Sequence, residues 1–376
     1  MRTLRLLPFL IVCVALAASQ TAKPAAAAKP AKPAASAKTS KRPAIAKELP
    51  HYQLINKYEV GGDGGWDYLF VEPTQHRLYI GRTNRAMVFD LDAGKMVGEV
   101  PAGQGVHGVA IALDLNKGYI SNGRDNNVTV FDLKTLKPTG TVSTGQNPDA
   151  IIYNPVTKQV LTMNGRSGDI TVINTKDDTV AGTIPVGEKV KLEFAAVDGQ
   201  GYVYVNVEDK GELAKVDSKN LKLLSRWQME GCEEPSGLAI QTMTPKKGVS
   251  WLYSVCGNKT MVITDGEVGK QIGKAPIGQG VDGVAFDPKS GMAFSANGRD
   301  GTLTAVHTGD NGKTFDVAQT VDSIRSARTI TYDAKTGNVV SVGARFGDTP
   351  AATAENPRPR PQMVPGSFTI LVFGPK

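Results

Sequence analysis

Residues that usually carry chemistry are scarce in this chain of 376 residues, which has 3 cysteines, 3 tryptophans and 4 histidines. The histidines, His51, His76, His107 and His307, stand at no metal-ligand spacing from one another, so a zinc site built from local His and Cys pairs is excluded. There is no Cys-x-x-Cys, His-Glu-x-x-His or Gly-x-Ser-x-Gly motif, and no phosphate-cradling glycine loop closed by lysine. Thioredoxin-like, zinc-protease, α/β-hydrolase and P-loop chemistries therefore have no local signature. Helical periodicity is also missing, because no window repeats its apolar residues three and four apart. The longest apolar run, Leu6 to Ala18, is too short to cross a bilayer as a mature helix.

That run has another use. Arg2 and Arg5 precede it and Ala15-Leu16-Ala17 follows as a cleavage site, so residues 1–20 read as a secretory signal peptide. Cys13 follows Val12 where a lipid-anchor site would want a small residue, so no lipid anchor is expected. Residues 21–50 are almost entirely Lys, Pro and Ala and cannot bury a core, which predicts a disordered linker. The net charge of +7 resides in these 50 residues, since the remainder carries 34 basic and 35 acidic side chains. A high isoelectric point is thus no argument for nucleic-acid binding by the folded part. A periplasmic or secreted location is expected, with no membrane span in the mature chain.

From residue 51 the sequence is governed by a period. Asn122-Gly123-Arg124 returns as Asn164-Gly165-Arg166 after 42 residues and as Asn297-Gly298-Arg299 after another 133. Strand-like segments ending in a polar residue recur at Phe89-Asp90, Phe131-Asp132, Ile173-Asn174, Val216-Asp217, Thr264-Asp265 and Val306-His307, in steps of 42 to 48 residues. Short apolar alternations broken by Gly, Asn, Asp and Pro give each unit four strands, the content of one propeller blade. A seventh unit starts near Asp322 and runs out after its third strand, Ser367 to Phe373. Gln53 to Val60 supplies the missing fourth strand. The expectation is an all-β, seven-bladed propeller over residues 51–376, its ring closed by the two termini, so that no edge is left open.

These units resemble the YVTN-type repeat of YncE-like secreted bacterial propellers. Tyr204-Val205-Asn206 is similar to the name-giving motif and Tyr119-Ile120-Ser121-Asn122-Gly123 is a variant of it. The resemblance covers the chain after the linker and implies the fold; it implies little about activity, because propellers host many functions. Neither Trp-Asp dipeptides nor kelch double glycines recur from unit to unit, which sets the repeat apart from those propellers.

Aligned units place one residue per blade where the inner strand begins: Asp67, His107, Asp149, Glu193, Ser236, Asp282 and Arg328. The turn after the second strand supplies Arg82, Arg124, Arg166, Arg299 and Arg345, with Asn258 in blade five and Glu208-Asp209 in blade four. Both sets belong to one face, the channel mouth. A structural reading pairs Asp67 with Arg82, Asp149 with Arg166 and Asp282 with Arg299 as ion pairs, the glycines before the arginines serving turns of positive φ. A functional reading rests on blades four and seven, where pairing fails. Glu193 lies beside further acid, and Arg328 faces Arg345 with Arg325 nearby, so the mouth has an acidic and a basic sector suited to a ligand with an anionic group. His107 is the candidate acid–base group.

Cys232 and Cys256 are expected to form a structural disulfide. Residues 346–366, with Pro357-Arg358-Pro359-Arg360-Pro361, are expected to form a stiff loop at the mouth. Three functions remain open. The first is a binding or scaffold propeller, expected to be a monomer, that holds a small anionic ligand or a partner's segment without a cofactor. The second is a metal-assisted hydrolase of the lactonase kind, with Asp67, Asp149, Glu193 and Asp282 as hard oxygen ligands, although the arginines would neutralise them and no metal is assigned. The third is single-stranded nucleic-acid binding with Trp66 or Phe346 as stacking platforms.

Overall fold

A computed structural model describes residues 48–242, 250–309, 312–353 and 356–376. The predicted signal peptide and all of the predicted linker except residues 48–50 lie outside the described residues. From Glu48 to Lys376 the strands form seven antiparallel sheets of four strands each, apart from two single-turn 3-10 segments at Leu113–Leu115 and Glu208–Lys210. This is the seven-bladed propeller that the period predicts. The inner strands are Trp66–Glu72, Val106–Ala112, Pro148–Asn154, Leu192–Val197, Pro235–Thr242, Val281–Asp287 and Ile330–Asp333. The last blade is shared, because Tyr52–Glu59 pairs with Thr369–Pro375, which pairs with Asn338–Gly343.

Blades are tied to their neighbours by side chains that the repeat supplies in register. Tyrosines in the second strands are buried, where their rings add apolar area and their hydroxyls need a partner. For three of them a partner lies in the following blade: Tyr119 donates to Asp178 Oδ1 at 2.7 Å, Tyr204 to the Gly266 carbonyl at 2.8 Å, and the Tyr253 hydroxyl pairs with Thr308 Oγ1 at 2.6 Å. Blade seven meets blade one through His76, whose Nε2 donates to Asp333 Oδ2 and whose Nδ1 donates to Asp92 Oδ1, both at 2.7 Å.

One local feature controls the mouth. In the first six blades the inner strand loses register with its neighbour within its first residues, at Trp66/Leu69, Val106/Val109, Pro148/Ile151, Leu192/Ala195, Pro235/Leu238 and Val281/Gly283. A bulge re-aims the side chains it contains. Asp67, His107, Asp149, Glu193, Ser236 and Asp282 each sit inside one.

Candidate functional site at the channel mouth

The bulged positions converge. His107 Nδ1 donates to Asp67 Oδ2 at 2.6 Å and lies 3.4 Å from Asp149 Oδ1. Arg328 Nε donates to Asp282 Oδ2 at 2.7 Å, its Nη2 donates to the Trp66 carbonyl at 3.0 Å, and the guanidinium reaches 4.0 Å from Asp67 Oδ1. Glu193 receives the Tyr68 hydroxyl at 2.9 Å on one oxygen and Lys191 Nζ at 2.8 Å on the other, and Lys191 also pairs with Glu208. Six of the seven predicted positions therefore belong to one polar cluster drawn from different blades. The seventh, Ser236, is buried with its hydroxyl unpartnered.

The residue after each of these positions decides what lies beneath. Blades one and four carry Tyr68 and Phe194 there; the other blades carry Gly108, Ala150, Gly237, Gly283 and Thr329. The two large rings meet edge to face across the channel at 5.0 Å between centroids. Gly108 is needed for this, since a Cβ there would lie 3.2 Å from the Tyr68 ring and 3.0 Å from Ile151. Below the pair the channel opens into an apolar cavity of about 470 Å³, lined by Phe70, Tyr153, Phe286 and Tyr332 among others. The mouth is thus a shallow polar recess with an aromatic floor.

Its electrostatics follow from crowding carboxylates into a recess with little water. Burial pushes Asp149 up to about 6 against the pull of His107, with Asp67 adding to the rise. Burial and the Asp149 charge push Glu193 up to about 9, although Lys191 opposes them. Burial raises Asp282 too, with Asp67 adding and Arg328 opposing. Burial disfavours the charged imidazole, yet the bond to Asp67 and the charges of Asp149, Asp67 and Glu193 outweigh it and hold His107 at about 9. Burial leads the rise of the three carboxyl groups, and the surplus of negative charge in the recess adds to it while holding the imidazole charged.

Several sequence expectations need correction. Arg82 is not at the mouth surface but fully buried. It donates to the carbonyls of Gly62, Asp63, Gly64 and Gly65 at 2.9 to 3.1 Å, and its guanidinium lies 3.9 Å from the centre of the Phe368 ring. The alignment slipped because Trp66 pairs with Arg82 as Val106 pairs with Asn122, so Arg82 occupies the asparagine place of Asn-Gly-Arg. The expected pairs Asp67–Arg82, Asp149–Arg166 and Asp282–Arg299 do not form; His107 and Arg328 serve these carboxylates instead. Nor do Gly123, Gly165 and Gly298 adopt positive φ. They are glycine because of close approach, since a Cβ on Gly123 would lie 2.7 Å from His107 Nε2 and one on Gly298 2.8 Å from Arg328 Cβ. Trp66 is packed between Phe346 and Phe368 and is 6% exposed, so it offers no face for stacking a base.

The remaining arginines form a rim. Arg124, Arg166, Arg299, Arg325 and Arg345 are exposed and make no ion pair among the described residues. Three of them are drawn into one sector by Ser326, a non-glycine residue at φ 84°. Its N–H donates to the Gly298 carbonyl at 2.6 Å, its hydroxyl donates to the Ala344 carbonyl at 2.8 Å, and it accepts from the Ala344 N–H at 3.0 Å. Arg299, Arg325 and Arg345 are the chain neighbours of these contacts. In blade four Glu193 and Glu208 share Lys191, and Asp209 pairs with Lys210.

The Cys232–Cys256 disulfide is present, with Cα atoms 5.4 Å apart. The base of the 346–366 loop is zipped where Gly347 N–H donates to Gln362 and Val364 N–H to Arg345, and Phe346 lies 6.1 Å from Trp66. The participants missed in the sequence are Tyr68, Lys191, Phe194 and Ser326. The first and third had a signal, being the only large residues in a layer of small ones.

No protein-family model matches the chain, and no curated protein matches it. Among solved structures it is similar to the hydrazine synthase of Kuenenia stuttgartiensis, at 15% identity over 80% of this chain and 95% of that one, with a TM-score of 0.62. It is also similar to the WD40 repeats of RRP9 (11% identity, 87% of this chain and 99% of that one, TM-score 0.69) and to U3-55K (11%, 85% and 98%, TM-score 0.67). At these identities the likeness shows the propeller fold alone. No helix among the described residues is long and apolar enough to cross a membrane.

Proposed function

We propose that this chain is a binding propeller of the periplasm or extracellular space, of the YncE-like kind, that holds a polar ligand or a partner's segment at its channel mouth. Residues 1–20 direct secretion in this reading, and residues 21–50 link that leader to the propeller. The ligand's anionic group meets Arg299, Arg325 and Arg345, and its hydrogen-bond donors enter the acidic recess. The observation that carries the reading is the gathering of these three exposed, unpaired arginines around Ser326, next to a recess of opposite charge. Arginine's planar fork suits carboxylate and phosphate, and a residue held at φ 84° costs backbone energy that a function can explain.

Native mass spectrometry tests this on protein recovered from a periplasmic extract. The wild-type chain is expected to carry an anionic adduct that the Arg299→Ser, Arg325→Ser, Arg345→Ser triple variant lacks. An adduct retained by the triple variant, or none on either protein, would reject the reading.

A further inference from the structure

We infer that Asp67, His107 and Asp149 form a binding site for one divalent first-row transition ion of the manganese or zinc class. The inference does not rest on the rim arginines, and its ion would occupy the recess that the ligand reading also uses.

Geometry is the first support. One ligand atom from each of the three residues can be chosen so that all lie within 4.8 Å of one another. Two donor atoms on one ion, each at about 2.1 Å, are about 3.0 Å apart at a right angle and about 3.4 Å apart at a tetrahedral one. The separations from His107 Nδ1 to Asp67 Oδ2 and Asp149 Oδ1 are 2.6 and 3.4 Å, which an ion between them would adjust by fractions of an ångström. The three side chains come from three consecutive blades, each aimed inward by a bulge, so their placement depends on the rigid ring and not on a loop. They remain reachable from solvent, with side-chain exposures of 18%, 25% and 11%.

Charge is the second. With the imidazole neutral, as ligation requires, the carboxylates of Asp67, Asp149, Glu193 and Asp282 face the cations Arg328 and Lys191. Glu208, which shares Lys191, adds a further carboxylate, so the recess keeps a negative excess that a divalent cation would reduce. The rim arginines do not supply this difference, because none is paired with a recess carboxylate.

The donor set selects the ion. One imidazole nitrogen with two carboxylates favours manganese or zinc over magnesium or calcium, which take oxygen alone, and over copper(I), which takes thiolate.

The test uses the full secreted chain, stripped with chelator, and Mn²⁺ alone as the probe. Electron paramagnetic resonance is expected to show one saturable Mn²⁺ per chain, with spin-echo modulation from a single imidazole nitrogen, displaced by Zn²⁺. His107→Gln removes the nitrogen modulation, and Asp149→Asn weakens binding by at least about tenfold. The triple rim variant binds Mn²⁺ as the wild type does, so failure of the ligand reading leaves this result untouched. Circular dichroism shows whether each variant is folded, and the wild-type nitrogen signal needs no variant. No saturable Mn²⁺ or Zn²⁺ binding below about 1 mM, or a nitrogen signal that survives His107→Gln, overturns the inference.

Discussion

Arg82 gives the most direct check on the physical account, because the sequence places it in a ligand site and the structure makes it a strut. Replacement by Met removes the guanidinium and keeps an apolar stem over Phe368. Three N–H donors are lost, Nε to the Gly65 carbonyl and the two of Nη2 shared among the Gly62, Asp63 and Gly64 carbonyls, at 2.9 to 3.1 Å. Bonds from a charged donor contribute roughly 1.5 kcal/mol each at the low end of their range, and the contact with the Phe368 face about 1 more. Against this, Arg82 is buried with no carboxylate partner, and burial together with neighbouring Arg85 lowers it to about 10. That penalty is about 3 kcal/mol, or about 2 once screening by solvent over the exposed Gly62–Gly65 stretch is allowed for. The same exposure lets the freed carbonyls regain water, which returns part of the loss. A net destabilisation of about 3 kcal/mol remains.

Urea unfolding followed by tryptophan fluorescence measures it, and Trp66, packed on Phe368 beside the loop, reports locally. Arg82→Lys should lose nearly as much, because one ammonium cannot reach four carbonyls. A loss below about 1 kcal/mol in Arg82→Met, or unchanged stability with lost ligand binding, would show that Arg82 serves the ligand and that the strut argument is wrong.

Three further expectations concern single contacts. His76 is raised from its ordinary range because its bonds to Asp333 and Asp92 outweigh the burial that lowers it. Its stabilisation is therefore full below the ordinary histidine pKa and lost as pH rises through the folded value, so the melting difference between wild type and His76→Gln should be large at pH 5.5 and shrink in alkali; a difference that grows with pH would reverse the assignment. Removing the Cys232–Cys256 bridge, which spans 24 residues, by the double Ala variant should cost about 3.5 kcal/mol on loop entropy, read as a lower urea midpoint, and an unchanged midpoint would refute a structural role. Gly123→Ala puts a methyl 2.7 Å from His107 Nε2 and should cost about 1–3 kcal/mol while displacing the imidazole signals in NMR, whereas Gly140→Ala meets nothing within 4 Å and should be neutral within about 1 kcal/mol; equal costs at the two sites would remove the close-approach explanation.

The period of the chain made the fold legible because it reports strand alternation and turn chemistry seven times over, and a local ambiguity in one blade is settled by the others. Even the shared blade could be read, from a unit that lacks a strand and an N-terminal strand that lacks a unit. The ring positions were legible for the same reason, His107 included, although its blade carries two extra residues. Pairing among them was not. Which cation meets which carboxylate depends on the bulge that turns each side chain inward, and a bulge leaves no residue-type signature where Asp, His, Glu and Ser all occupy it. Blade one shows the cost of aligning by residue type: an arginine at the asparagine place looks like the arginine two residues later in the other units, yet one is enclosed by carbonyls and the others face water. Asn-Gly-Arg then separates into three unrelated requirements. The asparagine caps its hairpin, as Asn122 does by donating to Asn127 and Thr129. The glycine yields space to a ring residue, His107 of its own blade at Gly123 and Arg328 of the next blade at Gly298, and only the arginine is free to meet a ligand. A repeated motif is therefore evidence for repeated geometry, and the places where it breaks, Arg328 in a ring of acids and Tyr68 and Phe194 in a layer of small residues, are where this propeller departs from its own repeat to build a recess.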